Sequence, residues 1–207
     1  MSRFSRSWVL FCAIMAGIGH LLIPSEASAF NHVIIDPGHG GHDRGGSSGY
    51  VYEKHLALDT ARRLEVLLRN QGFKVTMART RDKFISLPGR AALGNRYGNA
   101  IFVSIHYNWA RRSGAAGAET FYYRSSGRAL ATYIQRYMVK KAGVSSRGVK
   151  TASFHVLRNT YKNPAVLVEC GFVSNSSERR RCMKGSHRQH LAEGIAEGIV
   201  AYKQVFD

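Results

Sequence analysis

Apolar and polar positions follow two kinds of pattern along this chain. Short, nearly continuous apolar runs predict buried strands, and longer segments with apolar residues at helical spacing predict helices. The predicted strands are residues 32–35, 73–77, 100–105, 119–123, 154–157 and 165–168, and the predicted helices are residues 53–70, 87–97, 126–141 and 187–206. Apolar strands that alternate with helices are typical of a covered parallel sheet. We therefore predict one α/β domain with a mostly parallel, twisted sheet of about six strands, flanked by helices on both faces.

The first 29 residues have a different pattern, that of an export signal. Two arginines precede an apolar run over residues 8–23, and a small-residue A-x-A triplet follows at residues 27–29. These features describe a Sec-type secretory signal peptide, so we expect cleavage after residue 29 and a domain of residues 30–207. The domain would then work in the periplasm, or in the cell wall and extracellular space. The alternative is a retained membrane anchor, for which the run is barely long enough.

The charge of the chain narrows the class of partner. The 207 residues include 30 Lys and Arg against 13 Asp and Glu, a net charge of +17, and loss of the signal peptide would leave +16. For an exported domain this predicts attraction to anionic wall polymers or lipid head groups, weakened by salt. We predict no nucleic-acid partner, because the chain has no recognised base-reading motif. Three cysteines are too few for a disulfide scaffold.

Ionisable residues gather where the predicted strands end. His39 follows the first strand, His106 the third and Glu169 the sixth, while Glu53 opens the first long helix. In open α/β sheets the site lies beyond the carboxyl ends of the strands. Two histidines and a glutamate form a donor set that is common in catalytic zinc sites, and a second glutamate could act as general base. From these residues alone the site is a hypothesis, since a histidine at a strand end is often structural.

Four separated sequence motifs strengthen this hypothesis. They are DPGHGG at residues 36–41, Glu53, SIHYN at residues 104–108 and VECGFVSN at residues 168–175. In this order and spacing they resemble the zinc-dependent N-acetylmuramoyl-L-alanine amidases of the type 3 catalytic family. The resemblance covers residues 32–203, essentially the whole predicted domain.

The resemblance implies a reaction and a role for each matching residue. His39, Glu53 and His106 match the three ligands of one zinc ion, and Glu169 matches the catalytic glutamate. The implied reaction is hydrolysis of the peptidoglycan amide that joins N-acetylmuramic acid to the first L-alanine of the stem peptide. Glu169 would accept a proton from the attacking water and deliver it to the departing nitrogen.

Three further residues are weaker candidates. We expect Asp36 to support His39, although a turn-capping role fits equally well. Asn108 is expected to hydrogen-bond near His106 or the substrate. Arg158 matches a position that is often arginine in the family, and either a stem-peptide carboxylate or a surface salt bridge would explain it.

Other questions stay open in the sequence. Only ten residues separate His106 from Gly117, too few for a helix that covers the site, so we expect an open groove.

Cys170 and Cys182 could form a disulfide bond or remain free thiols. A zinc peptidase that acts on another wall amide and an inactive wall-binding domain are the alternative functions. The sequence does not reveal whether an activator protein is needed.

Overall fold

The computed structural model describes residues 30–206, so the predicted signal peptide, residues 1–29, lies outside the described residues. In chain order the elements are β1 (His32–Pro37), β2 (Ser47–Ser48), β3 (Val51–Tyr52), α1 (Glu53–Asn70), β4 (Lys74–Met77), α2 (Leu87–Gly94), β5 (Ala100–Asn108), β6 (Ala118–Tyr122), a 3₁₀ turn (Ser125–Gly127), α3 (Arg128–Ala142), β7 (Ser146–Thr151), α4 (His155–Asn159), β8 (Ala165–Phe172), α5 (Ser176–Cys182) and α6 (Gly185–Phe206). In this part of the chain, no helix is both long and apolar enough to cross a membrane.

The main sheet has six strands in the order β4-β1-β5-β8-β6-β7. Strands β4, β1, β5 and β8 run parallel to one another. Strand β6 pairs antiparallel with β8 and parallel with β7, so these last two strands run in the opposite direction. The predicted α/β class and mostly parallel sheet are therefore confirmed. The remaining strands, β2 and β3, form a separate small hairpin.

Alternate residues of the central strands point to opposite faces of the sheet. Ile34, Phe102 and Leu167 belong to the smaller apolar cluster, which α4 closes with Val156 and Leu157. The neighbouring strand residues point to the larger cluster beneath α1, α3 and α6. This period of two explains the continuous apolar runs, because both faces of each central strand are buried. Helices on both faces are confirmed.

One predicted strand is wrong. Residues 154–157 begin the short helix α4 (His155–Asn159), in which the Arg158 amide donates to the Phe154 carbonyl oxygen. The apolar run that predicted a strand is buried because Val156 and Leu157 pack into the smaller cluster. Short apolar runs do not distinguish a strand from one turn of buried helix.

Besides the short β2–β3 hairpin, two elements lack an apolar run and escape prediction from the sequence. Strand β7 lies at the edge of the sheet, and none of its residues is fully buried. Helix α5 is short and polar, and Asn175 caps it by accepting hydrogen bonds from the amides of Ser177 and Glu178. Edge strands and short capped helices need little apolar surface.

Candidate metal centre and catalytic carboxylate

The candidate site lies at the carboxyl ends of three adjacent parallel strands. His39 follows β1, His106 lies near the end of β5, and Glu169 lies in β8 directly opposite His106 in the strand register. Glu53, the first residue of α1, reaches the same place because the β2–β3 hairpin leads directly into that helix. The structure thus brings together the four residues that the sequence predicts as ligands and catalytic base.

Glu53 lies between the two histidines. Its Oε2 is 3.1 Å from His39 Nε2, and its Oε1 is 2.7 Å from His106 Nδ1. Backbone amides hold the same oxygens, with Gly46 N 2.7 Å from Oε2 and Tyr107 N 3.0 Å from Oε1. Burial raises the pKa of Glu53, but the hydrogen bonds with His106 and His39 outweigh it and hold the pKa well below its usual range. Glu53 is therefore a fixed carboxylate.

His39 is held by a residue that sequence reasoning missed. Asp43 Oδ2 lies 2.8 Å from His39 Nδ1, and Asp43 Oδ1 accepts a hydrogen bond from Gly45 N at 3.1 Å. This contact orients the imidazole so that Nε2 faces Glu53. Burial lowers the pKa of His39, while the contacts with Glu53 and Asp43 raise it to a net value above the ordinary one. The available signal was an aspartate four residues after a candidate ligand, inside the glycine-rich loop.

Two glycines of the loop are required by the close approach of site residues. A Cβ atom on Gly38 would lie 2.4 Å from His106 Cε1. A Cβ on Gly45 would lie 2.5 Å from both Glu53 Oε2 and His39 Cδ2, and Gly45 also has a φ of +67°. His39 itself has a positive φ of 57°, an unusual backbone conformation for a residue with a side chain. The loop therefore places the imidazole at the cost of local strain.

The donor set of His39, Glu53 and His106 can hold a metal ion. One ligand atom from each residue lies within 4.8 Å of the others. Two imidazoles and one carboxylate suit zinc, which accepts three protein ligands and leaves a position for water or substrate in catalytic sites. Because Glu53 contacts both imidazole rings, the three donor groups lie close together.

Glu169 has surroundings unlike those of Glu53. It is buried, and its Oε2 is one of two buried side-chain oxygens without a hydrogen-bond partner in the described part of the chain, the other being Thr160 Oγ1. Burial raises the pKa of Glu169 well above its usual range, and the nearby carboxylates of Glu53 and Glu119 raise it further. This carboxyl group is suited to hold a proton.

Asn108 and Glu119 continue the site across the sheet. Glu119 pairs with Glu169 in the antiparallel register of β6 and β8, and Asn108 Nδ2 donates to Glu119 Oε1 at 2.9 Å. Glu119 also forms ion pairs with Arg147 and Lys150 of β7. The structure thus places Asn108 near Glu169 through Glu119, a residue that sequence reasoning missed.

Asp36 lies below the loop rather than against the His39 ring. Its Oδ1 accepts from Arg90 Nη1 at 2.5 Å, and its Oδ2 accepts from Ser104 Oγ at 2.8 Å. Arg90 Nη2 in turn donates to the carbonyl oxygen of His39 at 2.5 Å. Asp36 therefore reaches His39 through Arg90 and the backbone, while Asp43 contacts the ring.

A cavity of about 330 Å³ opens beside the site. His39, His106 and Glu169 line it together with apolar side chains that include Phe84 and Phe154. Its volume is in the range of small-molecule sites.

Arg158 lies on the exposed side of α4 and is not among the residues that line the cavity. Its carbonyl oxygen accepts a hydrogen bond from Arg124 Nη2 at 3.3 Å. The structure does not bring Arg158 to the other site residues.

Cys170 and Cys182 are both buried free thiols in the structure. Burial raises the pKa of Cys182 to about 12 and that of Cys170 well above its usual range. Thiols in such surroundings are poor nucleophiles. They form part of the larger apolar cluster rather than of the site.

Residues 33–201 match the family model described as N-acetylmuramoyl-L-alanine amidase. The chain is similar to an N-acetylmuramoyl-L-alanine amidase from Clostridium difficile 630, with 38% identity and a TM-score of 0.80 over 84% of this chain and 97% of that one. It is also similar to the catalytic domain of CwlV from Bacillus (Paenibacillus) polymyxa var. colistinus, with 35% identity and a TM-score of 0.78 over 85% and 99% of the two chains.

A curated relative is longer than this chain. The probable cell wall amidase LytH of Staphylococcus aureus is 38% identical over 173 residues, which are 82% of this chain and 57% of that protein. The similar region therefore spans little more than half of the relative. The predicted family resemblance is confirmed.

Proposed function

Because the chain belongs to the N-acetylmuramoyl-L-alanine amidase family, we propose that it is a zinc hydrolase that cleaves the amide between N-acetylmuramic acid and L-alanine in peptidoglycan. One observation carries this proposal. Glu169, which has an unpartnered buried oxygen, lies opposite His106 beside a His-Glu-His donor set. Hydrolysis of an unreactive amide needs a group that polarises the carbonyl and a group that transfers a proton, and a metal site beside a carboxyl group provides both.

The metal would be held by His39, Glu53 and His106. When bound, zinc supplies a Lewis acid that polarises the amide carbonyl and lowers the pKa of water. The protein's own part is to hold the donors in fixed positions. Asp43 fixes the orientation of the His39 ring, and the amides of Gly46 and Tyr107 fix the two oxygens of Glu53. These contacts keep Glu53 from rotating when a substrate enters.

Glu169 would carry the proton between the two halves of the reaction. Its free Oε2 accepts a proton as water attacks the carbonyl carbon. The same carboxyl group then donates that proton to the departing nitrogen as the C–N bond breaks. The products are a lactyl carboxylate on the sugar and a stem peptide with a free L-alanine amine. An environment that raises the pKa of Glu169 favours the protonated stage of this cycle.

We also propose that residues 1–29 direct export and that the excess positive charge attracts anionic wall polymers or lipid head groups. Support comes from the charge balance, since 30 cationic residues cannot all be neutralised by 13 acidic ones. Arg111, Arg112 and Arg180 are among the exposed cations. Sedimentation of the protein with purified walls should decrease as salt rises, because the attraction is electrostatic.

Residues 30–207 incubated with purified peptidoglycan and muropeptides will test the reaction. We expect mass spectrometry to detect stem peptides with a free L-alanine amine, released in a chelator-sensitive way and restored by zinc. The Glu169→Gln variant should bind walls without this release. Release at another amide would instead establish a zinc peptidase, and binding without release by the wild type would indicate an inactive wall-binding domain or a requirement for an activator.

A further inference from the structure

We propose that Arg147 and Lys150 form a binding site for a carboxylate of the stem peptide, next to Glu169. This inference rests on the proposed function and assigns part of its substrate specificity. Both cations extend from the edge strand β7 to the carboxylate of Glu119. Arg147 Nε lies 3.0 Å from Glu119 Oε2, and Lys150 Nζ pairs with the same oxygen.

The strand register places this pair beside the catalytic glutamate. Glu119 of β6 is the direct partner of Glu169 of β8, and β7 is the next strand outward. Lys150 lies 6.0 Å from the ring centroid of Phe121, which contacts the cavity-lining Phe154. The cations therefore belong to the same face of the sheet as the groove.

The charges of the group do not cancel. A single buried carboxylate, Glu119, accepts from two cations and also from Asn108 Nδ2. One cation would be enough to neutralise it, so the group keeps a net positive charge. The side chains of Arg147 and Lys150 are 36% and 41% exposed, which leaves their charges accessible to a ligand.

Arg147 is also held in place by groups other than Glu119. Its guanidinium lies 5.0 Å from the ring centroid of Phe172, and Nη1 donates to the carbonyl oxygen of Ala116 at 3.4 Å. A guanidinium that is fixed before binding loses little conformational freedom when it meets a carboxylate. This arrangement suits recognition of an anionic group better than that of a neutral one.

The direction of the reaction identifies which part of the substrate meets the pair. In the proposed mechanism Glu169 gives its proton to the departing nitrogen, so the leaving peptide lies on the Glu169 side of the scissile bond. The candidate metal ligands lie on β5, on α1 and in the loop after β1, and the cations lie on the opposite side of Glu169. A carboxylate on the residue after L-alanine would extend toward Arg147 and Lys150.

Two synthetic substrates that differ in one group will test this site. Both are N-acetylmuramyl-L-Ala dipeptides in which the γ-carboxyl group of the D-Glu residue is capped as a methylamide. The acid keeps a free α-carboxylate, and the amide has a neutral carboxamide in its place. We expect the wild type to have a KM about tenfold lower for the acid than for the amide, as for a charge-assisted contact. Arg147→Met and Lys150→Met should each reduce this preference, and Arg147→Lys should retain most of it.

Arg136→Met is the matched control, because Arg136 is an exposed cation on α3, which packs on the other face of the sheet. Its preference for the acid should equal that of the wild type. Equal KM values of the wild type for acid and amide, or a preference unchanged in both methionine variants, would overturn the proposal. Each single variant leaves Glu119 one cationic partner, so folding should be preserved, and thermal unfolding will verify this.

A separate measurement distinguishes failure of this inference from failure of the proposed function. Calorimetry with Glu169→Gln will compare binding of the two uncleaved substrates. If the wild type hydrolyses neither substrate, the proposed reaction fails or requires an activator, whereas tighter binding of the acid that depends on Arg147 and Lys150 still supports the cationic site. Equal binding of acid and amide would exclude the site whatever the reaction.

Discussion

Glu53 and Glu169 are two buried glutamates at one edge of one sheet, yet their surroundings are opposite. Each oxygen of Glu53 contacts a histidine and a backbone amide, and its pKa is held below the usual range. One oxygen of Glu169 has no partner, and burial with two neighbouring carboxylates raises its pKa. The difference in hydrogen-bond donors, rather than in burial, separates the two pKa values.

This comparison shows how one residue type can serve two purposes in a site. A carboxylate surrounded by donors stays ionised and fixed, which suits a metal ligand. A buried carboxyl group without donors has a raised pKa and can exchange a proton with a reacting group, which suits general acid and base chemistry. The same substitution, glutamate to glutamine, should therefore have different consequences at the two positions.

The largest effect is expected for Glu53→Gln. Loss of one oxygen removes a candidate ligand and breaks a contact to a histidine, so both bound zinc and hydrolysis should fall to background. Loss of a residue that contacts a metal ligand, but not the metal, lowers metal affinity by about 10–100-fold. We expect a larger decrease in zinc affinity for Glu53→Gln. Elemental analysis after dialysis measures this, with Glu65→Gln on the same helix as the control. Full zinc content in Glu53→Gln would contradict its assignment as a ligand.

Glu169→Gln should separate activity from metal binding. We expect hydrolysis to decrease by about 10²–10⁴-fold, the usual contribution of a general acid or base. Zinc content should equal that of the wild type, because Glu169 is not a member of the donor set. Release of L-alanine amines measures the first quantity and elemental analysis the second. A variant that keeps its activity would exclude the proton-transfer role.

Asp43→Asn is expected to have an intermediate effect on the metal centre. The amide can still hydrogen-bond to His39 Nδ1 but no longer provides negative charge, so we expect zinc affinity to decrease by about 10–100-fold. Competition with a fluorescent chelator measures the affinity directly. Asp59→Asn, which changes a carboxylate paired with Arg63 and Arg188, should leave the affinity unchanged. If both variants behave alike, Asp43 has no special role.

The smallest effect is a pH-dependent gain in stability of the metal-free protein. The pKa of Glu169 is raised in the folded state, so its contribution to stability is fully present below about pH 4.3 and is lost as pH rises through the folded pKa. Glutamine stays neutral at every pH. Metal-free Glu169→Gln should therefore have a higher Tm than the wild type at pH 8.

Calorimetric melting curves from pH 4 to pH 8 will follow this difference. The gap between Glu169→Gln and the wild type should narrow as pH falls, because the wild-type carboxyl group then becomes neutral as well. A gap that is constant across this range would mean that the substitution acts through packing rather than through the charge of Glu169.

The sequence predicts the central strands of the sheet better than the edge strand and the short helices. Strands β1, β5 and β8 are buried on both faces, so continuous apolar runs reveal them, and the candidate residues His39, His106 and Glu169 lie in or after them. Edge strand β7 lacks such a run because one side of it faces solvent. Residues 154–157 show the opposite error, an apolar run that is buried as a helix.

Partners across the sheet are the part of the site that the sequence does not reveal. Glu119 becomes a neighbour of Glu169 only because β6 pairs antiparallel with β8, and no local pattern specifies that pairing. Arg147 and Lys150 join them through the same topology. Asp43 is closer in sequence to its partner His39, but an aspartate in a glycine-rich loop is equally typical of a turn.

The central position of β8 has a consequence for the order in which the sheet can form during synthesis. This strand pairs with β5 on one side and β6 on the other, yet it is the last strand of the chain to be synthesised. Until it emerges, β5 and β6 present hydrogen-bonding edges that can pair with other chains. The strand that completes the sheet also carries Glu169, so the candidate site cannot be complete before the sheet can close.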